Sequence, residues 1–290
     1  MALILAVAGT PPWMIFDRLT MPSRPFLPVE WIMYTILPYL SGKGKLKIYD
    51  NYNSFLTGGI EMIFITGDMH GLMERFQDSA FRHIKKGDTL IICGDFGFLW
   101  EGTEEEKKAL KKLEKKKYEI LFVDGIHENF DLLESYPEEE YAGGRVHRIG
   151  TNLRHLMRGE LFTIEGKKIF AFGGGESIEK EDRVKAGKWW EREMPTLEEM
   201  QHGVDRLDEV DRRVDYIVTH EPPTRVRTII DNTLRNFNML DAYLDELSTK
   251  VAYEKWFFGS LHLDRKITAK SYAVFNDLVP AEIPQGKRRR

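Results

Sequence analysis

The chain has 290 residues, of which 42% are hydrophobic and 30% are charged, a composition typical of a soluble globular protein with one large domain or two modest ones. Its formal net charge of -4 provides no global basic field of the kind that indicates bulk nucleic-acid binding. The single cysteine, Cys93, excludes a disulfide framework and favours a reducing compartment, so we expect a cytoplasmic protein.

The first 61 residues differ from the rest, because they are rich in proline, glycine and aromatic residues without a clear period. MALILAVAG lacks the basic start of a signal peptide, and WIMYTILPYL is about half the length that spans a bilayer, so we predict no membrane segment. Residues 1–61 are either an accessory segment packed on the domain or an extension with little structure, which we prefer. We therefore predict a folded domain over residues 62–280 and a frayed basic tail over 281–290.

Strand-like and helix-like segments alternate from Met62 onward. The predicted order is a strand at MIFITG, a helix at LMERFQDSAFRHI, a strand at DTLIICGD, a helix from Thr103 through Lys117, and a strand at YEILFVDG. Thr103 and Glu106 form the capping-box pattern that opens the second of these helices. This alternation predicts a parallel sheet with covered faces.

The middle of the chain contains shorter strand candidates. VHRI, LRHLMRGELFTIEG and KKIFAFGGG are separated by glycine-containing turns, which predicts antiparallel hairpins. After them we predict a helix from Pro195 to about Arg213, a strand at VDYIVTH, a helix at NMLDAYLDELSTK, and a strand at KWFFGS with two further short strands. The whole pattern indicates a mixed α/β domain.

Acidic and histidine side chains follow five of the predicted strands. The first strand ends in a glycine-flanked turn that carries Asp68 and His70, two positions apart. The later endings supply Asp95, His127, His220 and His262. Loops at the carboxyl ends of strands in an open α/β sheet converge on one crevice, so the five endings predict one site.

The donor atoms of this predicted site are nitrogen and oxygen, without a thiolate. Such a set suits Mn, Fe or Zn rather than a structural cysteine-zinc centre. A carboxylate at Asp95 could bridge two ions roughly 3.5–4 Å apart, the spacing at which paired metals clamp the oxygens of a phosphoryl transfer. One histidine in such a turn is more often structural, but the joint pattern favours a metal site.

The motifs also occur in a familiar order. They are Gly67-Asp68-Met69-His70-Gly71, Gly94-Asp95, Gly125-Ile126-His127-Glu128, Thr219-His220 and Gly259-Ser260-Leu261-His262. This series resembles the calcineurin-like metallophosphoesterase family, and FGGGESIEKEDR and YIVTHEPP resemble its bacterial and phage phosphoprotein phosphatase-like branch. The resemblance implies a four-layer α/β/β/α sandwich with two mixed β-sheets and a dinuclear metal site at the strand ends.

The resemblance also implies roles for individual residues. The implied metal ligands are Asp68, His70 and His262 for the first ion, Asp95 for both ions, and His220 for the second. His127 would assist the leaving oxygen as an acid or a hydrogen-bond donor, and a metal-bound hydroxide would attack phosphorus in line. The implied activity is hydrolysis of phosphomonoesters, either small molecules or phosphoproteins.

Two positions depart from the family pattern. Ile126 stands where the family has an asparagine ligand, and Ser260 stands where it has a histidine ligand, both for the second metal. Loss of two ligands should weaken that position by roughly 10²–10⁴-fold. We therefore predict one firmly bound ion and a weak or absent second one, unless Glu128 or Glu221 acts as a substitute ligand.

Other functions stay open at this point. The chain could be an inactive relative that serves as a binding protein, or it could cleave phosphodiesters including nucleic acid, although the acidic balance argues against nucleic acid. Arg158 and Arg183 could contact a phosphate, but solvated surface positions are the default expectation. GGGESI lacks the third glycine of a dinucleotide fingerprint and there is no P-loop pattern, so neither nucleotide-binding motif is present.

Overall fold

The computed structural model of the protein describes residues 61–230 and 237–282. The extension predicted over residues 1–61 lies outside the described residues except for Glu61, and the predicted basic tail lies outside them from residue 283 onward. Among the helices of the described ranges, none has the length and apolar character needed to span a bilayer.

The described residues fold into short strands and short helices. The strands are β1 (Ile63–Thr66), β2 (Thr89–Cys93), β3 (Glu119–Val123), β4 (Glu138–Tyr141), β5 (Gly144–Arg148), β6 (Leu153–Leu156), β7 (Glu160–Ile164), β8 (Lys167–Phe172), β9 (Tyr216–Thr219), β10 (Lys255–Phe258), β11 (Arg265–Lys266), β12 (Ser271–Ala273) and β13 (Val279–Pro280). The α-helices are α1 (Glu104–Leu113), α2 (Phe130–Leu133), α3 (Lys180–Lys185), α4 (Leu197–Asp208), α5 (Thr224–Ile230) and α6 (Met239–Lys250). Short 3-10 helices cover Arg75–Gln77, Ser79–His83 and Glu191–Glu193.

The strands form two mixed sheets. The first has seven strands in the order β13-β1-β2-β3-β6-β5-β4, with β1, β2, β3 and β6 parallel to one another. The second has six strands in the order β11-β12-β10-β9-β8-β7, with β8, β9, β10 and β12 parallel. Antiparallel pairs predicted for the middle section are present, β5 with β6 and β7 with β8. The single candidate LRHLMRGELFTIEG forms two strands, β6 and β7, which lie in different sheets, and β4, which the sequence did not predict, pairs antiparallel with β5.

Three apolar cores separate the layers. One core contains Ile65 and Val123 of the first sheet together with Ile169 and Phe257 of the second, so the two sheets pack face to face. A second core covers the other face of the first sheet and includes Leu113 of α1. A third covers the other face of the second sheet and includes side chains of α4 and α6. These layers form a four-layer α/β/β/α sandwich, so the fold class predicted from the sequence is confirmed.

The helix predicted at LMERFQDSAFRHI is wrong in type. Two 3-10 helices occupy this stretch, and Asp78 between them has an extended backbone with φ -55° and ψ 148°. The Asp78 side chain accepts a hydrogen bond from the backbone N–H of Ala80, at 2.8 Å. An aspartate that caps the following turn offers the backbone an alternative to a continuous helix, and the apolar period did not reveal this competition.

The capping box predicted at α1 is half formed. Thr103 accepts from the backbone N–H of Glu106, at 3.2 Å, as predicted. The Glu106 carboxylate instead accepts from the N–H groups of Glu101 and Gly102. It therefore fastens the loop before the helix, which keeps that loop beside the carboxyl end of the first sheet.

Candidate metal centre

The predicted site residues all lie in loops that follow parallel strands. Asp68 and His70 follow β1, and Asp95 follows β2. His127 follows β3 in the first sheet, whereas His220 and His262 follow β9 and β10 in the second. Because the two sheets pack face to face, these endings meet at one edge of the sandwich.

The structure brings the six side chains together. They form three overlapping groups whose candidate donor atoms lie within 4.8 Å of one another: Asp68, His70 and His262; His70, Asp95 and His127; and Asp68, Asp95 and His220. Each group contains at least one carboxylate and one imidazole, the donor types that suit divalent transition metals. Their roles as ligands remain predictions.

The first group has a compact donor triangle. Nε2 of His262 lies 2.8 Å from Oδ2 of Asp68 and 3.2 Å from Nε2 of His70. Nε2 of His70 lies 4.0 Å from the same Asp68 oxygen. Donors about 2.1 Å from a shared cation stand roughly 3–3.5 Å apart, so this triangle is close to the size that a divalent metal requires.

The Asp68 carboxylate supports the same interpretation, because it is fully buried. Neither of its oxygens accepts a well-directed hydrogen bond from the described part of the chain, although Nε2 of His262 is 2.8 Å from Oδ2 and Nδ1 of His220 is 3.6 Å from Oδ1. A buried carboxylate without directed donors is costly in an apolar interior. A cation between the donors would compensate the buried negative charge of the Asp68 carboxylate, so the residues present fit a metal site.

His220 is oriented for ligation by its backbone neighbour. Its Nδ1 donates to the carbonyl oxygen of Cys93 at 3.3 Å. Its Nε2 is buried, has no hydrogen-bond partner among the described residues, and lies 3.8 Å from Oδ1 of Asp95. Metal-binding histidines commonly donate their other ring nitrogen to a carbonyl in this way.

Asp95 joins the two sides of the site. Its Oδ1 accepts from the backbone N–H groups of Ile126 and His127, at 2.7 and 2.9 Å. Its Oδ2 lies 2.6 Å from Nδ1 of His127 and 3.9 Å from Nδ1 of His70. The loop after β3 is therefore fastened to a carboxylate that belongs to two of the three groups.

The charges of the site are strongly coupled. Burial alone would raise the pKa of Asp68, but His220 and His262 hold that pKa well below its usual range. Burial alone would lower the pKa of His220, but Asp95 and Asp68 outweigh it and raise the pKa to about 10. Burial lowers the pKa of His70 to about 3. Without a cation, His220 is therefore charged and His70 is neutral at pH 7.

Three of the candidate ligands have a left-handed backbone. The φ angles are 48° at His70, 45° at Asp95 and 49° at His262. Non-glycine residues adopt this region uncommonly, and such positions concentrate at functional sites. The left-handed conformation at His70, Asp95 and His262 orients three of the candidate ligands.

Glycines let the strand ends approach these ligands. A Cβ atom at Gly94 would lie 2.0 Å from Nδ1 of His220, and one at Gly259 would lie 2.2 Å from Oδ1 of Asp68. A Cβ at Gly125 would lie 2.1 Å from Oδ1 of Asp95. A side chain at these three motif positions would overlap a candidate ligand, which explains why they are glycines.

Replacing Gly125 with alanine is expected to weaken Mn²⁺ binding at least about tenfold and to lower the free energy of unfolding by about 1–3 kcal/mol. The new methyl group would overlap the Asp95 carboxylate and lie 2.6 Å from the Asp95 backbone nitrogen, so the backbone must move. Titration calorimetry and denaturant unfolding would measure the two effects. Gly150→Ala is the matched control, because its Cβ would meet only the flexible tip of Glu114. Unchanged Mn²⁺ affinity in Gly125→Ala would contradict the close approach.

Ile126 and Ser260, the two residues that depart from the expected ligand set, have different neighbours. A Cβ on Gly175 would lie 2.8 Å from Cγ2 of Ile126, so the Ile126 side chain packs against the backbone of Gly175. Ser260 donates from Oγ to Oε2 of Glu221 at 2.9 Å. Neither side chain places a strong donor beside His220.

Each of the two glutamates considered as substitute ligands has one carboxylate oxygen in hydrogen bonds to groups other than the candidate ligands. Glu128 is fully buried and accepts from the backbone N–H of Phe96 at 2.6 Å. Glu221 accepts from Arg227 and from Ser260. Among the described residues, no candidate metal-binding group includes either glutamate.

The expectation of solvated arginines is wrong for Arg158. This residue is buried and pairs with Asp124, with Nε 3.0 Å from Oδ2, and with Glu199 at 3.2 Å. Arg183 is half-buried and lies 5.5 Å from the ring centroid of Trp100, whose ring is 6.4 Å from that of His127. Sequence reasoning missed the placement of Arg158, because Asp124 and Glu199 lie on distant segments.

Comparison with known proteins agrees with these motifs. Residues 62–260 match the family model described as calcineurin-like phosphoesterase. The search of curated proteins gave no match. Among solved structures, the chain is similar to the crystal structure of phosphopantetheinyl hydrolase from Mycobacterium tuberculosis, with 15% sequence identity and a TM-score of 0.41, over 79% of this chain and 98% of that chain.

Proposed function

The chain belongs to the calcineurin-like phosphoesterase family, whose members are metal-dependent hydrolases, and on that premise we propose that it hydrolyses phosphomonoesters of small molecules or phosphoproteins. The observation that supports this proposal is the overlap of three donor groups around Asp68 and Asp95. An arrangement of this kind offers adjoining positions for cations beside His127.

We assign the residues as follows. Asp68, His70 and His262 would hold the first cation, Asp95 would contribute to both cation positions, and His220 would contribute to the second. When bound, a divalent cation lowers the pKa of coordinated water and withdraws charge from phosphoryl oxygens. The nitrogen and oxygen donors suit Mn, Fe or Zn.

His127 acts on the leaving oxygen in this proposal. Its Nδ1 is held by Asp95 at 2.6 Å, so the ring is oriented and Nε2 is the atom that would donate a proton or a hydrogen bond to the substrate. A positioned acid of this kind typically contributes 10²–10⁴-fold in rate. Asp95 thus serves both cation binding and the orientation of His127.

The second cation position is weak in this proposal. Among the described residues, Asp95 and His220 supply the strong donors there, next to Asp68, which is assigned to the first position. Ile126 presents a methyl group to Gly175 and the Ser260 hydroxyl donates to Glu221. Removal of two ligands should cost roughly 10²–10⁴-fold in affinity or activity. One cation is therefore held firmly at the first position.

The test combines metal content with hydrolysis. We expect about one Mn²⁺ per chain by elemental analysis after equilibration and desalting, and faster Mn²⁺-dependent hydrolysis of a chromogenic phosphomonoester than of the matched diester. Faster diester cleavage would replace the proposal with a phosphodiesterase. Bound Mn²⁺ without hydrolysis of either substrate would favour a binding protein, and no bound Mn²⁺ would reject the metal centre.

Cation binding at the second position is expected to release close to one proton and to tighten about tenfold per pH unit between pH 7 and 9. The reason is that His220, whose pKa is raised to about 10 between the two carboxylates, must lose its proton before Nε2 can bind a metal. Because folding raises the pKa of His220, the protonated imidazole stabilises the metal-free fold at neutral pH. This stabilisation is lost as the pH rises through 10, where His220 loses its proton in the folded chain as well.

Calorimetry of Mn²⁺ binding in two buffers with different protonation enthalpies measures this proton. His220→Asn is the comparison variant, in which the release should disappear while first-position binding persists. Equal apparent enthalpies in the two buffers for the unchanged chain would contradict a charged His220.

A further inference from the structure

Arg75 lies under the turn that carries Asp68 and His70, in the first of the short 3-10 helices. Its Nη1 donates to the carbonyl oxygen of Asp68 and, at 3.3 Å, to that of Gly67. Its Nη2 donates to the carbonyl oxygen of Phe275 and, at 3.1 Å, to Oγ1 of Thr66. One guanidinium therefore joins the end of β1 to a segment 200 residues further along the chain.

Phe275 connects this arginine to another candidate ligand. The Phe275 ring stacks on the ring of His262, with centroids 4.6 Å apart and planes at 30°. The guanidinium carbon of Arg75 is 5.4 Å from the centroid of the same phenyl ring. The Phe275 carbonyl also accepts from the backbone N–H of Gly67 at 3.1 Å. Arg75 therefore contacts both the backbone and the ring that borders His262.

The loop of His262 is tied to the same segment by a separate contact. Asp264, two residues after His262, accepts from the backbone N–H groups of Phe275, Asn276 and Asp277 at 2.7 to 3.0 Å. A shift of Phe275 must therefore carry the His262 loop with it. Fixing Asp68 to Phe275 consequently fixes Asp68 relative to His262, whose donor atoms are 2.8 Å apart.

We infer that Arg75 is a positioning residue of the metal centre: its guanidinium holds the Asp68 backbone against Phe275 and thereby sets the separation of the Asp68 and His262 donor atoms. This inference rests on the metal centre proposed above. The planar fork of an arginine suits the role, because it reaches several carbonyl oxygens at fixed angles, whereas a lysine is a single mobile charge.

The experiment compares Arg75→Met, Arg75→Lys and the control Lys116→Met. The control removes a similar contact, because Nζ of Lys116 donates to the Phe76 carbonyl at 3.3 Å and lies 5.9 Å from the Phe76 ring. Mn²⁺ affinity is measured by calorimetry well below the unfolding temperature of every variant. The ring proton and carbon signals of His70 and His262 are recorded for the metal-free proteins.

We expect Arg75→Met to bind Mn²⁺ about 10–100-fold more weakly, with shifted ring signals of His262 in the metal-free protein. Arg75→Lys should recover little of the affinity, and Lys116→Met should match the unchanged chain in both measurements. Full recovery in Arg75→Lys would assign the effect to charge and overturn the inference, as would unchanged ring signals in Arg75→Met. Absence of Mn²⁺ binding in the unchanged chain would reject the metal centre itself, and the ring signals would then decide the role of Arg75.

Discussion

Replacing Asp95 with asparagine is expected to reduce Mn²⁺-dependent phosphomonoester hydrolysis by about 10³-fold or more, because several kcal/mol of cation interaction depend on this carboxylate. Asp95 belongs to two of the three donor groups, and both of its oxygens are in use. An amide with its oxygen toward the N–H groups of Ile126 and His127 would turn its NH₂ toward Nδ1 of His127. The cation would lose a charged ligand and His127 would lose its acceptor.

The matched control is Asp215→Asn, at the start of β9 and thus at the opposite end of the strand that leads to His220. Asp215 accepts from the backbone N–H of Lys168 at 2.8 Å, so the control makes the same chemical change at a carboxylate that also binds the backbone, although Asp215 is only partly buried whereas Asp95 is fully buried. Steady-state hydrolysis and elemental analysis are compared for both variants. If Asp95→Asn retains more than about a tenth of the rate, Asp95 cannot be the shared ligand.

The double change Ile126→Asn, Ser260→His is expected to raise the metal content from about one to about two ions per chain and to increase hydrolysis by roughly 10²–10⁴-fold. An amide oxygen at 126 and an imidazole at 260 would supply the two donors that the second position lacks. The Ile126 backbone N–H already donates to Asp95, so the loop is held in place and only the side chain changes. Glu221 would lose the Ser260 hydroxyl but keep Arg227.

The single variants and Ile126→Val separate the contributions. Ile126→Val keeps an apolar side chain and should leave the metal content at one ion, whereas each single ligand replacement should give a smaller gain than the pair. Equal metal content and equal rates in the unchanged chain and the double variant would show that the second position is not limited by these two residues.

The donor side chains were predictable because their signals are local. A strand of β-branched and aromatic residues followed by Gly-Asp or Thr-His predicts a candidate ligand at the carboxyl end of that strand. Parallel strands place their carboxyl ends on the same side of the sheet, so such residues lie close together. The structure places Asp68, Asp95 and His220 in one group, as the strand endings predicted. The two-sheet architecture followed from the family resemblance rather than from the local pattern.

The supports of the site were not predictable in the same way. Arg75 binds a carbonyl that is 200 residues away, and the Arg158 guanidinium finds Asp124 and Glu199 on separate segments. The sequence around an arginine does not indicate which carbonyl or carboxylate will accept hydrogen bonds from its guanidinium group. The passage from β6 in one sheet to β7 in the other was also hidden, because Met157-Arg158-Gly159 reads as an ordinary turn.

The left-handed backbone at His70, Asp95 and His262 has a consequence for how the site recognises an ion. Each such conformation costs on the order of 1 kcal/mol or more, and the cost falls on folding rather than on ion capture. The strained conformation is therefore already present before a cation binds, and these three residues need no backbone rearrangement on association. Glycine at any of the three positions would relieve the backbone strain but would also remove a donor side chain, so the folding cost and the candidate ligands belong to the same three residues.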